Sequence, residues 1–337
     1  PGLWLVLSAG PLVGAAAGMT DGGLNTVVAL TGRPRLLNLL HGFYGIGTAV
    51  GPLVVTGAIL AGSWRPAFLV LAALDAAAAA CWFAYRRSAP VPGAPVPAAK
   101  TPAAETAPEA DRPARDWSRR RVFAALTLGL AVFFVYTGLE VGAGQWETSY
   151  VRGHLGLPAS AAGLAAFGYW GALTAVRIGL ALPARPVPAQ TVIRAGLLLS
   201  IAACGLIWWQ SGPLAVILAF ALLGASLAGV FPALIAVTPQ RIGPERAQHA
   251  IAWQVGAAAA GGSAVSAVIG LLIDSTSLAV LGPALVVLSL ILLLANAALE
   301  ALAPVQGPRR FRSSGGRARQ PSPGAPTGRN RDRRRQP

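Results

Sequence analysis

The sequence predicts an all-α integral membrane protein, and three observations carry that prediction. Hydrophobic residues make up 54% of the 337 residues and charged residues only 12%, and the mean hydropathy is +0.58; a soluble domain of this size is less apolar. The apolar residues run unbroken over helix-length segments, without the ten-residue alternation of a membrane barrel. The basic residues gather between those segments, as the positive-inside rule expects of a helical membrane protein.

Nine segments reach the length of about 20 residues that a hydrocarbon core of about 30 Å requires. They cover 3–30, 36–61, 66–85, 122–146, 158–182, 192–210, 213–237, 247–273 and 279–302. The first holds GMTDGGLNTV, and Gly14, just before it, falls with Gly18, Asp21 and Asn25 within about 60° on one face at 100° per residue. A carboxylate near mid-membrane costs about 2.5–3.5 kcal/mol on insertion scales, so Asp21 faces a watery cavity or a polar partner. Interhelical glue explains it structurally; a functional carboxylate explains it as well.

The second segment places Asn38, His41, Gly42, Gly45, Ala49 and Pro52 on one face. His41 suits a ligand hydroxyl or a proton relay, while the nearness of Arg33 and Arg35 suits a helix-start cluster at an inner gate. The third segment carries Asp75 at mid-span, with no role assigned. In the fourth, FVYTGLEVGAGQWETSY aligns Tyr136, Glu140, Ala143, Gly144 and Glu147. Glu140 is the second buried carboxylate, and Glu147, nearer the outer end, is expected to be solvated.

The fifth segment contains Trp170 and, near its inner end, Arg177, whose long stem can snorkel to head groups. Trp208 and Trp209 close the sixth segment, where an interfacial belt accounts for them. Gly224 and Gly229 in ALLGASLAGVFP, and Gly256, Gly261 and Gly262 in the next segment, read as packing and bending positions. Cys81 and Cys204 lie within spans and read as small apolar core residues, without a disulfide or a metal site. No cofactor is expected.

Between the third and fourth segments, residues 86–121 are rich in Pro and Ala and hold eight Lys/Arg, a composition for a disordered linker. The tail 304–337 is low in apolar residues, and ten Arg follow Val305. The short loops with Arg33 and Arg35, Arg185 and Arg194, and Arg241 and Arg246 fall on the same side as linker and tail; only Arg65 and Arg152 fall opposite. The C-terminus is therefore expected in the cytoplasm. The net charge of +15 is assigned to anionic lipid head groups rather than nucleic acid. No phosphate loop, HExxH, paired Cys/His set or GxSxG elbow is found, and no enzymatic activity is expected.

Three spans, a long cytoplasmic loop and six spans form a pattern that resembles the major facilitator superfamily with the first three of its twelve helices missing. The start at Pro1 rather than Met agrees with that expectation. Within the superfamily, Asp21 with Asn25 four residues on, and RLLNLLHGFYGIGTAVGP from Arg35 to Pro52, resemble the fucose/glucose:proton symporter group. The resemblance covers residues 3 to 303 and implies helices four to twelve of the fold. It divides the chain into a remnant of the N-terminal half (1–85), the linker (86–121), a C-terminal six-helix half (122–303) and a basic tail (304–337).

The same resemblance implies that the spans at 3–30, 122–146 and 213–237 line a central cavity, and that Arg177 makes a cytoplasmic gate contact. A proton-coupled symporter for a sugar or polyol, working by alternating access in a bacterial inner membrane, is the expected function. Asp21 and Glu140 would carry the proton. Asn25, Asn38, His41, Tyr136, Gln145, Trp146, Trp170 and Gln254 would supply hydrogen bonds and aromatic faces to the sugar. GTAVGP, Gly47 to Pro52, is similar to part of the antiporter signature, which leaves export of an apolar drug-like compound as an alternative. A transport-inactive membrane scaffold is the other.

Overall fold

The computed structural model describes residues 3–30, 34–85, 118–183, 187–210 and 212–305. Most of the linker, the tail beyond Val305, and the loop residues Arg33 and Arg185 lie outside the described residues. Those described are helical, with no strand among them. The helices are α1 (Leu3–Leu30), α2 (Pro34–Leu60), α3 (Arg65–Tyr85), α4 (Arg119–Ser149), α5 (Ala159–Ala181), α6 (Ala189–Trp209), α7 (Pro213–Leu227), α8 (Val230–Ile242), α9 (Pro244–Ser275) and α10 (Leu281–Leu302).

Eight stretches of the described residues are long and apolar enough to cross a membrane, α7 and α8 together forming one of them. The 28-residue α1 is not one of the eight; it is helical over all of the first predicted segment. Boundaries agree with the sequence expectation to within about three residues except in two places. The segment 213–237 is not one helix but two, broken at Ala228 and Gly229. Pro232 has no N–H to donate to the carbonyl of Ala228, and Gly229 adapts to the resulting turn. The fourth segment runs past its predicted end, through Ser149 and a π-helical turn, Tyr150–His154.

Apolar burial gives helices little reason to associate inside a bilayer, so close van der Waals packing has to hold them together. The α4–α9 contact shows how small residues permit it. The two helices run parallel in register, with Gly138 against Val265 and Gly142 against Ile269, while Gly261 lies on the backbone of Phe134. A Cβ at Gly261 would stand 2.6 Å from the Phe134 carbonyl carbon. Gly224 of α7 lies similarly on the backbone of Tyr169 in α5. Gly256 was expected to be a packing position, but a Cβ there would meet nothing within 4 Å.

The face of α2 read from the sequence is the one that packs on α5. A Cβ at Gly42 would stand 3.1 Å from the Ile178 side chain, and Gly45 accommodates Thr174. Further contacts join α5 to α7, α6 to α7 and α10, and α1 to α9, while α3 rests on α2. At one end of the bundle Arg194 of α6 pairs with Glu300 of α10 at 2.8 Å; the Arg194 side chain is 63% exposed, so the pair adds little stability.

Several single-residue expectations change. Arg241 was read as a loop residue and is instead buried in the last turn of α8. Cys204 is buried in α6 as expected, but Cys81 is exposed on α3. Asp75 is exposed on the same helix. Trp208 and Trp209 are exposed at the end of α6, where the interfacial belt reading put them.

Candidate functional site

Two polar clusters, one on α1 and α2 and the other on α4 and α5, meet at an aromatic ring from α8. In the first, Asn25 is fully buried. Its amide nitrogen donates to the Asp21 carboxylate at 2.8 Å and to the Asp21 carbonyl at 3.0 Å. Its amide oxygen lies 2.9 Å from Nε2 of His41. Because that oxygen can only accept, Nε2 of His41 carries the proton. Asn25 thus bridges α1 and α2 with both ends of its amide committed. Asp21 is exposed beyond this bond, and Gly14 and Gly18 leave open space on the same face, with nothing within 4 Å of a Cβ at either.

The second cluster is centred on Glu140. Its Oε2 accepts hydrogen bonds from the Tyr136 hydroxyl one turn earlier and, at 3.1 Å, from Nη2 of Arg177. Arg177 is 2% exposed. The expectation that it snorkels to head groups fails, because the Glu140 carboxylate compensates its charge inside the bundle. A buried pair of this kind holds together because removing either member strands the other.

Arg177 also holds the break between α7 and α8. Nε of Arg177 donates to the carbonyl of Ala228 at 2.9 Å, the carbonyl that Pro232 leaves without its usual helical partner. The Tyr136 hydroxyl lies 2.9 Å from the carbonyl of Leu227, the last residue of α7, an alternative acceptor for the single proton it gives to Glu140. Broken helices are tolerated at membrane depth where other groups satisfy the freed backbone, and here Arg177 does so. Tyr169 adds a hydrogen bond of 2.7 Å to the backbone carbonyl of Glu140.

Phe231, just past the break, joins the clusters. Its ring lies edge-on to His41, with centroids 5.0 Å apart, and packs on Phe133 at 5.2 Å and Tyr136 at 5.8 Å. Asp21, His41 and Glu140 all lie within electrostatic reach of Arg177. Tyr44, one turn after His41 and exposed, lies within reach of Asp21, Glu140 and Arg177. Tyr44 and Phe231 were not singled out from sequence. The spacing of Tyr44 three residues after His41 was the signal available for it; Phe231 offered none beyond its place before Pro232.

Gln254 accepts from Thr238 at 2.9 Å, and Trp146 spends its N–H on the Ser266 carbonyl at 2.9 Å. Trp170 packs on Gly144 and on the Tyr169 ring, 4.9 Å between centroids. Gln145 is exposed, and Asn38 is half-buried on α2, one turn before His41. Glu147, expected to be solvated, is fully buried; the helix continues for two turns beyond it, so it is not at an end. A cavity of about 450 Å³ lies elsewhere, between α4, α9 and α10, lined by Phe134, Val265, Val268, Ile269 and Val287 among other apolar residues. It offers no side-chain group that would recognise a hydroxyl.

Helices of membrane length packed through glycines around a buried ion pair and a broken helix define a multi-pass α-helical membrane protein with a charged interior. Residues 1–266 match the family model of the Major Facilitator Superfamily, and the chain belongs to that superfamily. Among curated proteins, none matches the sequence. Among solved structures, the chain is similar to the human organic anion transporter MFSD10 (TETRAN), with a TM-score of 0.45 and 19% identity over 52% of this chain and 41% of that one. The chain thus spans less than half the length of that protein.

Proposed function

We propose that this protein is a secondary active transporter that couples proton movement to uptake of a sugar or polyol by alternating access. The observation that carries the reading is the meeting of two polar clusters from different parts of the chain, Asp21–Asn25–His41 and Tyr136–Glu140–Arg177, at a helix break. Alternating access needs a polar centre that both helical groups contact and whose bonds change as they rock. In this reading residues 1–85 and 122–303 belong to the two groups, the spans correspond to helices four to twelve of the fold, and the C-terminus is cytoplasmic in a bacterial inner membrane.

The proton acts on bonds already in place. Asp21, open on one side, takes or releases it, and Asn25 passes the change in charge to His41 as a change in hydrogen bonding. Protonation of Glu140 removes the charge that retains Arg177, which loosens the hold on the Ala228 carbonyl and lets the break flex. Substrate hydroxyls then find donors and acceptors in Asn25, His41 and Tyr136, and Tyr44 offers an aromatic face. The remaining polar candidates, Asn38, Gln145 and Gln254, and the indoles of Trp146 and Trp170 serve the substrate only if other states turn them toward it. Arg177 is then the gating residue, acting on the α7–α8 break. No chemical transformation is assigned, and the basic linker and tail rest on anionic lipids.

The apolar cavity beside α9 favours one rival, export of an apolar compound. Competition for uptake into membrane vesicles under an imposed pH gradient separates the two. A labelled sugar whose uptake is displaced by unlabelled sugars and polyols, but not by apolar cations, supports the symporter; displacement only by apolar compounds overturns the sugar assignment.

A further inference from the structure

Glu147 lies on the same face of α4 as Glu140, seven residues further on, yet the two carboxyls are treated differently by their surroundings. Glu140 has a guanidinium and a phenol bound to it. Glu147 is 0% exposed, and neither of its carboxyl oxygens has a hydrogen-bond partner. A bare carboxylate enclosed in this way would carry the full cost of lost hydration with no Coulombic return, whereas the neutral acid carries far less.

Among the described residues, the elements packed on α4 bring no compensating charge to this carboxyl. On α5, Arg177 is already bound to Glu140, and Tyr169, within electrostatic reach of both carboxyls, gives its hydroxyl proton to the Glu140 carbonyl. Helix α7 carries no titratable residue. On α8 the one cation is Arg241, in the last turn, and on α10 Glu300 is held by Arg194. The charged residues of α9, together with His249, are exposed. In the π-helical turn beyond Glu147, Tyr150 is buried against Phe220 and His154, and Arg152 is exposed. None of these forms an ion pair with Glu147 among the described residues.

We propose that Glu147 is a second proton-binding site, held as the neutral acid inside the bundle and separate from the Glu140–Arg177 ion pair. The inference goes beyond the transport reading and does not depend on the substrate being a sugar. It places one proton on a carboxyl closed off from solvent, from which it leaves only when water reaches that carboxyl. The site would add a proton step that neither Asp21 nor Glu140 supplies.

Infrared spectroscopy of the full chain in lipid membranes tests it directly. At about pH 7 an ordinary glutamate is ionised, so a protonated-carboxyl C=O stretching band marks an acid held neutral by its surroundings. The wild-type protein is expected to show this band; Glu147→Gln and Glu147→Leu are expected to lose a matching share of it, and Glu140→Gln to keep it. Leu removes all hydrogen-bonding capacity, so it serves as the second variant if Gln fails to fold. Absence of the band from the wild-type protein overturns the proposal, as does a band of unchanged intensity in either folded Glu147 variant.

Discussion

Glu140→Ala is expected to destabilise the protein by about 3–5 kcal/mol, the cost typical of stranding one member of a buried ion pair. The guanidinium of Arg177 stays 2% exposed with its counter-ion gone, and the Tyr136 hydroxyl loses its carboxylate. Arg177→Ala is expected to cost as much, with the added loss of the bond to the Ala228 carbonyl. The double variant Glu140→Leu/Arg177→Met separates charge from packing. It removes both charges together and recovers most of the loss, leaving a deficit of about 1 kcal/mol for the Ala228 carbonyl. Thermal unfolding in detergent or lipid reads all three as shifts in Tm. Gradient-driven uptake is expected to be absent from every one of them, the stable double variant included, because stability is restored and the switchable charge is not. Additive losses in the double variant would show that the pair is not coupled.

The second large effect is expected at Asn25. Asn25→Leu keeps approximately the volume but takes the acceptor from His41 and the donor from Asp21. Leaving buried His41 unsatisfied costs about 1–3 kcal/mol, and the link between the two side chains is lost. Uptake under a pH gradient is expected to fall to the background while the protein still inserts and folds. Asn25→Asp is the informative companion. It keeps an acceptor for His41 but sets a second carboxylate 2.8 Å from the place where Asp21 accepts a bond, so it is expected to work only where one of the two is protonated, and its uptake is expected to shift to lower pH. Wild-type uptake in Asn25→Leu would remove Asn25 from the proton route.

Much of this centre was legible because it is local. Tyr136 and Glu140 are four residues apart on a helix, and so are Asp21 and Asn25; periodicity alone puts each pair on one face, and the structure joins each pair by a hydrogen bond. The glycine face of α2 was legible for the same reason. The links between helices were not. The bond from Asn25 to His41 and the ion pair from Arg177 to Glu140 depend on how helices approach one another, which no helical period records. Arg177 illustrates the point: judged by its own helix it stands near an end with water in reach, and only the neighbouring carboxylate makes burial tolerable.

The break at Ala228–Gly229 was hidden by hydropathy, since LAGVFPAL is as apolar as a continuous helix would be. Pro232 marked a missing N–H, but the side chain that satisfies the freed carbonyl, Arg177, comes from α5. Glu147 was misjudged through a boundary. Ending the helix at residue 146 puts the carboxylate in the head groups, whereas the continuation through the π-helical turn draws it inside.

The most direct measurement is uptake by Asp21→Asn in sealed vesicles, with and without an imposed pH gradient, set beside exchange of labelled for unlabelled substrate without a gradient. Asn keeps the size of the side chain and a hydrogen-bonding oxygen for Asn25 but cannot take up a proton as a carboxylate does. Accumulation driven by the gradient is expected to disappear while exchange persists, because the substrate site remains and the coupling does not. Full pH-driven accumulation in Asp21→Asn would contradict the assignment of Asp21 to proton coupling.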